Sequence, residues 1–136
     1  MKNWKKQLFA LLAFLALASL AYAHHSMAGF DRNKTVNLVG TIRQFKWANP
    51  HSWIEMEVPN DKGGTDIWNI EMTSPAVLIR AGWKSNTIKP GDKVTVACHP
   101  LQTGEPGGIF VSVTTASGQT LTDRPGAAAA PAAAKQ

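Results

Sequence analysis

Cysteine is almost absent from this 136-residue chain: Cys98 is the only one. A single thiol excludes an internal disulfide, so whatever folds here must be held by its apolar core alone. The Cys-x-x-Cys-His run that attaches haem is missing, and Cys98-His99 is no substitute for it. Gly-x-Ser-x-Gly and Ser-x-x-Lys nucleophile motifs are missing too, and there is no Gly-rich phosphate loop, because Gly63-Gly64 and Gly107-Gly108 fall in hairpin patterns. Cys98 shares strand parity with Val94 and Val96, which marks it as a small buried hydrophobe and not a nucleophile. Glu55, Glu57 and Glu71 lie on strand faces where solvation accounts for them, and acid–base work would need a cleft as well. The chain is therefore not expected to be an enzyme.

Charge is also scarce once the leader is set aside. Lys2, Lys5 and Lys6 form a positive n-region, Leu8 to Leu20 is an apolar run, and Ala21-Tyr22-Ala23 has the small-x-small pattern of a signal-peptidase site. The apolar run is shorter than the roughly 20 residues of a membrane span, and no second one follows. No cysteine stands at the cleavage point for a lipid anchor. Residues 1–23 are thus expected to be a signal peptide, with a periplasmic product and no stable membrane insertion after cleavage. Removing those three lysines leaves 11 of the 14 basic residues against 9 acidic ones, a net of +2. No clustered Lys/Arg footprint remains, so nucleic acid is not an expected partner.

At the other end, Arg124 to Gln136 reads RPGAAAAPAAAKQ, an Ala/Pro tract without apolar periodicity. Pro125, Gly126 and Pro131 interrupt any helix, so residues 123–136 are expected to be a disordered tail. The domain then spans residues 24–122, with its folded unit starting near residue 30.

Within that unit the apolar period is mostly two. Val36, Leu38, Gly40 and Ile42 alternate on one face, and the phase then shifts toward Phe45 and Trp47, which implies a bulge or coil with Gly40 as a candidate bend point. Asn49-Pro50 signals a turn. SWIEMEV puts Ile54, Met56 and Val58 on one face and Trp53, Glu55 and Glu57 on the other. Residues 60–64 form a hairpin loop, and DIWNIEM buries Trp68, Ile70 and Met72. SPAVLIRAGW breaks the pattern. Ser74 can cap a helix, Pro75 suits its first position, Gly82 can end it, and Trp83 can fold back on Leu78. If the Ser74 hydroxyl caps the helix, Ser74→Ala costs about 1 kcal/mol. Lys89 to Asp92 is a turn into KVTVACHP, GEPGG reverses the chain into IFVSVTT, and SGQ makes a final turn.

Strand, strand, strand, helix, strand, strand, with a coiled first strand, is the layout of a small five-stranded OB-like barrel with one short helix between strands 3 and 4. A sandwich or an SH3-like barrel is the alternative. The same residues carry a resemblance. HHSMAGFD, LVGTI, WANPHSW, WNIEM, SPAVLIRAGW and IKPGDKVTV follow in one order over about residues 24 to 122. This resembles a domain-of-unknown-function family of small exported bacterial proteins, with Ile42 standing where that family usually has Val. The resemblance implies export and a compact β-domain, and it brings no established activity.

Two features point to a binding or accessory module. One is aromatic: Trp47 and Trp53 flank the Asn-Pro-His turn and can form a contact surface for a protein or a glycan, although core packing also accounts for tryptophans. The other is histidine. Cleavage after Ala23 makes His24 a new N-terminus with a free α-amine beside its imidazole, and His51 or His25 can supply a third nitrogen. Such a nitrogen set suits Cu(II), so copper is the expected metal if there is one. The arrangement resembles, in chemistry and not in fold, copper proteins with an N-terminal His ligand. As a solvated tail and a turn residue, the same histidines need no metal. The expected partners are an unknown envelope protein or a small ligand, and the expected state is a monomer.

Overall fold

The computed structural model describes Gln7 and residues 29–126. The expected leader, its cleavage site, His24, His25 and the tail beyond residue 126 lie outside the described residues. Six strands and one short helix make up the rest: β1 (Val36–Lys46), β2 (Trp53–Pro59), β3 (Thr65–Glu71), α1 (Pro75–Arg80), β4 (Lys93–Pro100), β5 (Gly107–Thr115) and β6 (Thr120–Thr122).

The strand order is β3-β2-β1-β4-β5-β6, and β3 also pairs with β5. That last pairing is parallel, from Asn69↔Gly107 to Glu71↔Ile109, and it closes β1 to β5 into a barrel. The protein is therefore mainly β, a closed five-stranded barrel with its helix between the third and fourth strands, as the element order led one to expect. Closure leaves these five strands no unpaired edge along the joined segments, and β6 extends the sheet beside β5.

Alternation puts one residue of each pair inside. Ile54, Met56, Ile70, Val96, Cys98 and Val113 are fully buried, and Leu38, Ile42, Val94 and Phe110 complete the barrel interior. Ser52 shares that inward parity and is buried, with an Oγ that has no hydrogen-bond partner. Burial pushes the Cys98 thiol up to about 12, so it stays protonated and unreactive at neutral pH.

The helix lies where the sequence placed it, and its end is fully formed. Gly82 takes φ +89°, its N–H donates to the Ile79 carbonyl at 3.0 Å, and the Trp83 N–H donates to the Leu78 carbonyl at 2.9 Å. This is the pair of bonds that satisfies the last carbonyls of a helix ending on glycine. Its start differs from expectation. Ser74 occupies the N-cap position, but its side chain makes no capping bond. Pro75 at the first position already removes one free donor, so the helix loses little. Ser74→Ala should accordingly lower the unfolding free energy measured in urea by less than about 0.5 kcal/mol, under the usual cap penalty of about 1 kcal/mol. A loss near 1 kcal/mol would show that the hydroxyl is needed after all.

Two further differences bear on the outer surface. The bulge in β1 is at Arg43, where the register passes from Ile42↔Met56 to Gln44↔Glu55, while Gly40 stays regularly paired with Val94. The Ile42 backbone is held from the other side by Asp92 and Gly91, so the extra residue is forced in just after it. The segment after the SGQ turn forms the sixth strand, Thr120–Thr122, against β5.

Candidate functional site

The outer face of β1, β2 and β3 is set by register. One row across the three strands is Gln44, Glu55 and Asn69; the next is Lys46, Trp53 and Glu71. Neighbours within a row are about 4.8 Å apart, and the rows are about 6.8 Å apart, by strand geometry. The bulge turns Arg43 onto this face as well. Its guanidinium lies 3.3 Å from Glu55 and 3.4 Å from Glu57, so two carboxylates share one cation. Gln44, Lys46, Trp53, Glu55 and Asn69 line an open depression of about 270 Å³.

Trp53 is 37% exposed in the middle of this polar face, while Ile54 beside it is fully buried. Trp47 is placed differently. It is half-buried, packs against the core and meets Phe45 edge-to-face at 5.6 Å between ring centroids. The two tryptophans thus split: one belongs to the core margin and the other is presented outward.

His51 lies just beyond the cis Asn49-Pro50 bond, two residues ahead of Trp53 and on the same side of the chain. Its Nδ1–H donates to Oε1 of Glu71, and the imidazole is exposed while the carboxylate is largely covered. With Nδ1 engaged by a carboxylate, Nε2 is the ring nitrogen left for a further partner, and such a carboxylate contact is the arrangement that orients a histidine for metal ligation. This partner was not identified in the sequence, where Glu71 read as a solvated strand carboxylate. The signal is the β2–β3 register, Trp53↔Glu71, which places Glu71 beside the start of β2.

His99 comes onto the same outer row, since Glu71 pairs with Ile109 and Ile109 with His99. Two strand spacings, about 10 Å, separate it from Glu71, too far to share an ion. Its Nδ1–H is committed to the Lys34 carbonyl at 2.8 Å. Among the described residues, no three of His, Cys, Asp and Glu converge to hold a metal. His51 is the one expected ligand that falls within them.

The chain enters this region at Phe30, which bridges to Leu101. Leu101 donates to the Gly107 carbonyl at 2.9 Å, and Gly107 pairs with Asn69. Phe30 is therefore three strand spacings, about 15 Å, from the row that carries Asn69.

No curated protein and no solved structure matches the chain. A family model does, over residues 12–111, and so takes in all of β1 to β4, α1 and most of β5. The chain belongs to that family, described as a family of unknown function, DUF6152.

Proposed function

We propose that the protein is an exported binding or accessory module that captures Cu(II) at His51 together with the N-terminal histidines. The observation that carries this reading is the His51–Glu71 pair, which engages Nδ1 of an exposed imidazole and leaves Nε2 for a metal. In the matured chain the α-amine and imidazole of His24 close a chelate on one ion. Nε2 of His51, or the imidazole of His25, adds the third nitrogen. The α-amine has a pKa near 8, so a metal displaces its proton close to neutral pH. Planar nitrogen ligation favours Cu(II), which also stands highest in the divalent affinity order.

The test is a Cu(II) titration of three samples: protein beginning at His24, the same protein with one extra N-terminal Gly, and His51→Ala. Affinity should fall about tenfold to hundredfold in the second and third. Equal affinity in all three means that the histidines do not form a site.

A second reading is favoured by the exposure of Trp53. It takes the outer face of β1 to β3 as a contact surface for an envelope protein or a glycan, with no metal involved. Trp53→Ala should then weaken capture while leaving the melting temperature nearly unchanged.

A further inference from the structure

The chemistry of the Trp53 depression is more specific than a general contact surface. Its charges are internally matched: Arg43 is held between Glu55 and Glu57, and Lys46 is the one cation lining the depression. A nucleic-acid strand needs cations that track its backbone, so this face does not suit a polyanion. It does not suit an apolar helix or peptide either, because Trp53 is the one large apolar side chain in the lining. What remains is an aromatic plane flanked by planar hydrogen-bonding groups: the amides of Gln44 and Asn69 and the carboxylate of Glu55.

We infer that this depression binds a neutral oligosaccharide, with one pyranose ring stacked on Trp53 and its hydroxyls bonded to Glu55, Gln44 and Asn69. The inference rests on the second reading above and names its ligand class. A pyranose has a C–H face that lies on the negative face of an indole, and a rim of hydroxyls that both donate and accept. Carboxylates accept from such hydroxyls, while amides both donate and accept, and Glu55, Gln44 and Asn69 supply both kinds of group. Arg43 fixes Glu55 through Oε1, leaving its second oxygen available without a search for the right rotamer. The volume, about 270 Å³, is just below the roughly 300–1,000 Å³ of sites that enclose a drug-sized ligand, and the open form suits a chain lying across the face.

The experiment is isothermal titration of the protein with cellohexaose and with the hexamer of N-acetylglucosamine, repeated on Trp53→Ala and Asn69→Ala, each checked by melting. Saturable binding of either sugar, weakened about tenfold or more in both variants with unchanged melting, is the expected result. No saturation by about 10 mM for either sugar overturns the inference, as does binding that Trp53→Ala leaves intact. A pull-down from envelope extract on wild type and Trp53→Ala separates the two levels. Trp53-dependent capture of a protein without sugar binding overturns the saccharide and leaves the contact-surface reading standing. Loss of neither sugar nor protein binding in Trp53→Ala overturns both.

Discussion

Replacing Trp83 by alanine should lower the unfolding free energy by about 3–5 kcal/mol, the range for deleting a buried indole. Trp83 is 1% exposed and joins elements far apart in the chain. Its ring meets Phe110 of β5 edge-to-face at 5.6 Å and lies 5.8 Å from Phe45 of β1. Its Nε1–H donates to the Thr122 carbonyl at 2.8 Å, tying β6 to the segment after α1. Its backbone N–H closes the helix end on Leu78. Alanine keeps that last bond and loses all the others. Trp83→Phe keeps most of the apolar volume, loses the bond to Thr122, and should cost about 1–2 kcal/mol. Urea denaturation gives the free energies, and amide exchange in residues 120–122 reports the tie directly. If Trp83→Ala costs less than about 1 kcal/mol, the indole does not join these elements.

How legible such features are in the sequence depends on how local their physics is. Trp53 outward with Ile54 and Met56 inward follows from alternation alone, and the structure places them so. The limits of α1 follow from Pro75 and Gly82, whose backbone preferences hold in any context. The Arg43 bulge is different. The phase shift is legible, but the position of the bulge at Arg43 depends on Asp92 and Gly91 gripping Ile42 from fifty residues downstream, while Gly40 lies beside Thr41, where β1 passes from pairing with β4 to pairing with β2. Strand β6 is three half-buried residues with no apolar alternation, and it is recognisable only once Thr122 is seen to accept from Trp83. The His51–Glu71 pair spans twenty residues and exists only through the β2–β3 register. Histidine at a turn was therefore noticed, but the carboxylate that aims it was not.

Gly40→Ala should be at least as damaging, at about 3 kcal/mol or more, against the rule that alanine improves a strand glycine. Where the native backbone can accept it, Gly→Ala gains about 0.4–1 kcal/mol by restricting the unfolded chain. Here a Cβ would lie 2.1 Å from the Glu57 carbonyl oxygen and 2.9 Å from Cε of Met56. Met56 is fully buried, and it can give way only by moving other core atoms. The carbonyl cannot give way cheaply, because Glu57 is registered to Thr41 on one side and to Ile67 on the other. Relief requires β1 to separate from β2 just before the bulge, which is overpacking expressed in backbone and not in a rotamer. Gly64→Ala is the matched control, since its nearest neighbour is the Asn60 side chain at 3.4 Å, and it should change stability by less than about 0.5 kcal/mol. Urea midpoints compare the two, and a Gly40→Ala variant as stable as the control would show that β1 and β2 do not cross this closely. The separation also has a functional reading. Gln44 and Lys46 follow Gly40 on β1 and face Glu55 and Trp53 on β2, so a Gly40→Ala protein that still folds should hold the two halves of the depression apart and weaken the proposed saccharide binding.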